Sequence, residues 1–247
     1  MSDIACSTLR ALREQSVPLL PHYDELLLNA CSEAPPLFGE ASYAEVYQEA
    51  AIDPQWLAIS LITNAEREGD GATRLWNLAA CTLDSAMAEQ IRQHAIDESH
   101  HSRAYIRLLD MAFPGAVDPG LHHQLLTLSP GYSRQQTPVA TPGSAYAHAI
   151  TLDELIQMNI AEIRTRVHHL MQRPILLSFC PAHSRPQLAR ILDRLLYDET
   201  HHIAYTARLI EGFCARGSTA VARKLLVERM DDFDAITRKE LELRVFD

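Results

Sequence analysis

Apolar residues recur along the chain at helical spacing, and no convincing strand alternation interrupts them. Helix-start signals punctuate the pattern. Ser42 with Glu45 and Thr151 with Glu154 read as capping boxes, as does Ser184 with Gln187, although Pro186 lies inside the last. Asp53-Pro54 is an N-cap followed by proline at the first helical position. Four long helices are predicted: A from about Asp53 to Cys81, B from about Asp84 to Phe113, C from Thr151 to about Arg173, and D from about Pro186 to Arg216. Pro114-Gly115 stops B, and Pro174 ends or kinks C. A charged amphipathic helix follows from about Ser218 to Arg244, and the first fifty residues add one or two shorter ones.

The connections are unequal. A and B meet in a tight turn near Thr82-Leu83, about a dozen residues join C to D, and a stretch rich in Pro, Gly, Ser and Thr separates B from C. Short–long–short suits an all-α, ferritin-like four-helix bundle with one long crossover and extra flanking helices. The expected organisation is one domain over 1–247: hairpin 53–113, crossover 114–150, hairpin 151–216 and C-terminal helix 217–247. Two separate helical hairpins with a linker are the alternative.

Two short stretches stand out against that pattern. Asp97-Glu98-Ser99-His100-His101 returns as Asp198-Glu199-Thr200-His201-His202, each time inside an apolar helical repeat. Buried acids and imidazoles are costly without a partner, and a metal ion is such a partner. Glu98 and His101 stand at i and i+3 on one face, as do Glu199 and His202. The inward stripes are Ile91, His94, Glu98, His101, Tyr105, Leu108 on B and Leu192, Leu195, Glu199, His202, Thr206, Leu209 on D. By helix phase His100 and His201 point away.

In an antiparallel hairpin, residues equidistant from the turn stand level. With the A–B turn centred near residue 82, Glu98 is level with Glu66. With the C–D connection centred near residue 180, Glu199 is level with Glu162. Sixteen residues of helix span about 24 Å, which puts these acids deep in a bundle. Four glutamates and two histidines, with no cysteine, suit two iron ions, or manganese in second place, better than zinc. A solvated helical face is the competing reading of each motif alone.

A glutamate on one helix and E-x-x-H on the next, given twice, resembles the ferritin-like carboxylate-bridged diiron proteins. The longer pattern, Glu66 then Asp97-Glu98-x-x-His101 and Glu162 then Asp198-Glu199-x-x-His202, resembles the p-aminobenzoate N-oxygenase (arylamine N-oxygenase) family over residues 53 to 210. The resemblance implies a dioxygen-using diiron oxygenase that converts a small amine to its hydroxylamine, nitroso or nitro product, with a secondary-metabolite role. It implies Glu66, Glu98, His101, Glu162, Glu199 and His202 as ligands, and Asp97 and Asp198 as acceptors that fix the ligand histidines' tautomers. The family also has a histidine one turn before the acid of the second motif. Here Leu195 holds that place, and the first motif has His94 instead, an extra ligand or merely a neighbour of the site. Without that ligand, other diiron oxidases (C–H hydroxylase, desaturase, aldehyde-deformylating oxygenase) and ferritin-like iron storage compete.

One face of helix C carries Asn159, Glu162, Thr165, Arg166 and His169. Asn159, Thr165, Arg166 and Gly69 are candidate substrate-pocket residues, and Gly69 with Gly71 either bulges helix A to admit dioxygen or substrate or breaks the helix. Arg166 is also a candidate partner for a buried acid. No flavin or nucleotide motif is visible, so electrons are expected from a ferredoxin or flavin reductase. The substrate is free or held on a carrier protein, and the resemblance implies a homodimer.

The chain has 247 residues, 47% apolar and 22% charged, with a formal charge of −10. That balance argues against a nucleic-acid partner. No run is long and apolar enough for a membrane span, and the start lacks a signal-peptide core. Five cysteines without C-x-x-C spacing read as reduced thiols of a cytoplasmic protein.

Overall fold

The computed structural model describes residues 4–140, 150–244 and 246. The expected crossover therefore falls partly outside the described residues, at 141–149. Among those described, the secondary structure is helical, with no strand. No described helix is long and apolar enough to cross a membrane. The α-helices run α1 Ile4–Glu14, α2 Pro21–Glu33, α3 Ala41–Ala51, α4 Pro54–Cys81, α5 Ser85–Ala112, α6 Pro119–Leu125, α7 Leu152–Phe179, α8 Arg185–Phe213 and α9 Thr219–Leu243. The four long predicted helices A to D are α4, α5, α7 and α8. Among the described residues, three α-helices rather than one or two begin within the first fifty.

The chain parts into two compact units. One takes Met1–Ala51, Thr151–Ile175 and Leu192–Phe246; the other takes Ile52–Ile150 and Leu176–Ile191.

The second of these units is built on the hairpin of α4 and α5. Asp53 starts α4 by accepting from the Gln55 amide, with Pro54 at the first position. Asp84 starts α5 by accepting from the Met87 amide at 2.8 Å. The pair is antiparallel, and the Ser102 hydroxyl donates to the Ala65 carbonyl at 2.7 Å. Trp76 stacks on Tyr132 at 4.2 Å between ring centroids and 5° between planes, over Ala95 and Ile96.

Helix α4 is α-helical through Gly69 and Gly71, with no bulge. Gly69 serves another purpose than the pocket expected of it. A β-carbon there would lie 2.1 Å from the Leu128 carbonyl oxygen, so its missing side chain admits the 3₁₀ turn Leu126–Leu128. A β-carbon on Gly71 meets nothing within 4 Å. The two glycines therefore predict opposite signs. Gly71→Ala should raise stability by up to about 1 kcal/mol through helix propensity. Gly69→Ala should lower it by about 1–2 kcal/mol, because overpacking against backbone exceeds the same gain. Urea midpoints of the two variants test this; a rise for both would refute the close approach.

The other unit packs α1, α2, α3 and α9 around the facing parts of α7 and α8. The Thr151 capping box forms: the Thr151 amide donates to Glu154 Oε2 at 2.7 Å, and the Glu154 amide donates to Thr151 Oγ1 at 3.2 Å. The Ser42 box does not form. Helix α3 begins one residue earlier, and the Ser42 hydroxyl donates to Glu40 instead.

Pro174 lies inside α7 rather than ending it, and the link to α8 shrinks to Cys180–Ser184. A proline inside a helix costs about 3 kcal/mol. The residues beyond it offset this by burial: Leu176 is fully buried, and Phe179 packs on Phe113 at 5.3 Å.

Helix α9 is bound to α7 by charge. Arg229 grips Asp153 through two parallel bonds, Nε to Oδ1 at 2.7 Å and Nη2 to Oδ2 at 2.6 Å. Farther along α7, Arg164 forms a buried ion pair with Glu240. The Tyr43 hydroxyl donates to the other Glu240 oxygen at 2.9 Å and meets His168 Nε2 at 2.5 Å. Phe246 covers this cluster edge-on, 5.3 Å from Tyr43 and from Tyr47.

Candidate metal centre

Each unit carries one of the doubled motifs, and each is built in the same way. In the α4–α5 hairpin, Ile91, His94, Glu98, His101, Tyr105 and Leu108 are buried on one stripe of α5, while His100 is exposed, as helix phase predicts. His101 Nδ1 stands 3.7 Å from Glu98 Oε2, and His94 Nε2 stands 3.0 Å from Glu98 Oε1. The two oxygens of Glu98 thus each face an imidazole.

The second carboxylate from α4 is Glu68, not the expected Glu66. Glu68 Oε2 lies 3.9 Å from His101 Nδ1, and its carboxyl lies beside that of Glu98. Glu66 is exposed. The correction has a geometric cause. The link between the helices is Thr82–Asp84, centred on Leu83 rather than Thr82. Glu98 and Glu68 each lie fifteen residues from that centre. Moving a turn centre by one residue moves the level partner by two.

Burial pushes the Glu98 carboxyl up. The hydrogen bond with Glu68 and the neighbouring His101 and His94 outweigh it, and hold the group well below the ordinary carboxylate range.

In the other unit, α7 and α8 run antiparallel and set the matching group. His202 Nδ1 stands 3.5 Å from Glu199 Oε2 and 3.6 Å from Glu162 Oε2. The Glu199 and His202 side chains are each 1% exposed and Glu162 13%. His169, from α7, places Nδ1 4.0 Å from Glu199 Oε1. His201 is exposed.

These distances fit coordination better than hydrogen bonding. An N–H···O bond spans about 2.7–3.2 Å, and most of these pairs are longer. Two donors each about 2.1 Å from one ion lie about 3.0 Å apart at a right angle and at most about 4.2 Å apart. Every nitrogen–oxygen pair above falls in that window. The donors are carboxylates and imidazoles with no thiolate, the set that suits iron or manganese. Glu68 with His101, and Glu162 with His202, also count among the groupings that could hold an ion.

The remaining candidates are placed as follows. Asp97 accepts from Gln93 Nε2 at 2.9 Å, and Asp198 accepts from Arg194 Nε at 2.7 Å. Both are buried beside the motif glutamates. Asn159 is buried in a hydrogen-bond network. Its amide accepts from the Tyr23 hydroxyl at 2.8 Å and donates to the Ile203 carbonyl and the Thr206 hydroxyl. Thr206 in turn donates to the His202 carbonyl at 2.8 Å, so this network braces α8 at the histidine. Arg166 donates through Nε to the Thr200 hydroxyl at 3.2 Å, and burial pushes its pKa down. Thr165 is half-buried one residue before it.

Sequence reasoning missed Glu68 and passed over His169. The signal for the first was the extra residue in the turn. The signal for the second was its spacing, two helical turns after Glu162 on the same face of α7.

Compared with family models, curated proteins and solved structures, the chain matches none.

Proposed function

We propose that the protein is a ferritin-like, non-haem diiron oxygenase acting on a small amine, with iron held by the ligand group of each unit. The observation that carries this is the repeated donor set: in each unit an E-x-x-H glutamate has both oxygens within 4.0 Å of imidazoles, and a second glutamate meets the same motif histidine. Glu68, Glu98 and His101 would hold iron in one unit, and Glu162, Glu199 and His202 in the other. Manganese is second to iron for this donor set.

Reduced iron so held supplies dioxygen activation. The chain's own groups supply the rest. The carboxylates neutralise the metal charge and fix its geometry. The buried stripes above and below the acids, from Ile91 to Leu108 on α5, keep water from the reacting atoms. Asp97 and Asp198, buried beside the motif glutamates, would serve to orient the ligand histidines.

The balanced first step is amine plus dioxygen plus two electrons and two protons, giving hydroxylamine and water. The electrons come from an external donor, a ferredoxin or flavin reductase. Nitrogen oxidation is put ahead of the other diiron oxidations on the reading that His94, 3.0 Å from Glu98 in the first motif, supplies the extra imidazole that the resembled family carries before the acid of its second motif.

The test is turnover: iron-loaded protein with a chemical reductant, dioxygen and a panel of arylamines and alkylamines. Hydroxylamine, nitroso or nitro products by mass spectrometry are expected. Dioxygen consumption with iron mineralisation and no organic product would overturn the oxygenase reading in favour of iron storage.

A further inference from the structure

Resting on the dinuclear reading above, we infer that His169 is a further metal-ligating histidine, which does for Glu199 what His94 does for Glu98. The argument begins from an asymmetry in the sequence. One turn before Glu98 stands His94; one turn before Glu199 stands Leu195, a fully apolar residue 1% exposed. If the ligand group of each unit needs a similar ligand field, that of the second must take its extra imidazole from elsewhere.

Helix α7 provides it. His169 lies two turns after Glu162, and residues seven apart share a helical face. Its side chain is 1% exposed, and Nδ1 lies 4.0 Å from Glu199 Oε1. Glu199 Oε2 meanwhile faces His202 Nδ1 at 3.5 Å. The pattern matches that of Glu98, whose Oε1 faces His94 and Oε2 faces His101. In both units, each carboxylate oxygen of the motif glutamate addresses its own imidazole. One unit draws the second imidazole from the same helix and the other from the neighbouring helix. At 4.0 Å the two donors are within the span of about 4.2 Å that one ion bridges at ordinary bond lengths, and beyond hydrogen-bond reach.

His168, the adjacent residue, is a built-in control. It faces the other way, with Nε2 2.5 Å from the Tyr43 hydroxyl.

The experiment is cobalt(II) titration of the full chain, read by stoichiometry and by visible ligand-field absorption, on wild type, H169Q and H168Q. Two ions per wild-type chain are expected. In H169Q the affinity of one ion should fall by at least about 10-fold, with a changed absorption for that ion, and H168Q should match wild type at both. Wild type binding two ions, with H169Q equal to it in affinity and spectrum, overturns the role of His169 and leaves the dinuclear reading standing. Wild type binding no cobalt and no iron overturns both. Should H169Q not fold by circular dichroism, the wild type alone decides. With cobalt bound, the His169 ring protons must resonate far outside the diamagnetic window, and unshifted His169 resonances overturn the inference.

Discussion

Glu68→Ala should weaken iron binding by at least about 100-fold, while Glu66→Ala should leave it unchanged. Loss of a residue that merely orients a ligand costs 10–100-fold in affinity, so loss of a ligand stands at or beyond the upper end. The two positions are separated by one residue on the same helix, share charge and helix propensity, and differ in the direction they face. Glu68 is 11% exposed in its side chain, with its carboxyl against Glu98 and His101. Glu66 is exposed. The pair of variants therefore separates ligation from any general effect of removing an acid from α4. Equal affinities, or a larger loss at Glu66, would contradict the register of this hairpin. Iron affinity by anaerobic titration reads the difference.

The second large effect is on stability. Glu240→Ala should cost about 3–5 kcal/mol, because removing one partner of a buried ion pair strands the other charge. Arg164 is 10% exposed and Glu240 3% in their side chains. Burial, and after it the charge of Glu240, push the Tyr43 hydroxyl pKa up, so Tyr43 stays a neutral donor to the carboxylate. At 2–4 °C per kcal/mol for a chain of this size, the midpoint of thermal unfolding should fall by roughly 10 °C. Replacing both partners by apolar residues of similar volume should cost much less than Glu240→Ala. A single-variant loss below about 1 kcal/mol would show that water reaches the pair. The consequence extends to the candidate metal centre. Arg164 stands two residues from Glu162 on α7, so loosening α9 also loosens the helix that presents Glu162 and His169.

The helical class, the four long helices and the face of the doubled motif were legible in the sequence, for a reason visible in α5. Its period of apolar residues continues unbroken through His94, Glu98 and His101, so phase alone tells inward from outward, and it assigned His100 and His201 correctly. What phase does not supply is register between helices. That depends on where a turn is centred, and one residue of error at Thr82 became two at Glu66. Pro174 misled for a different reason: its local cost is fixed by chemistry, but the compensating burial of Leu176 and Phe179 comes from residues distant in sequence. Gly69 and Asn159 were read as pocket residues from composition, which shows an opening or a polar group but not what meets it. The Leu128 carbonyl approaches one, and Tyr23, Ile203 and Thr206 engage the other.

The central claim is that the doubled motif binds metal, and iron stoichiometry tests it most directly. Wild-type protein and Glu98→Ala are loaded anaerobically with ferrous iron, desalted, and assayed for iron per chain. Two irons retained by the wild type, falling sharply in the variant, are predicted. A wild-type chain that retains no iron would contradict the account.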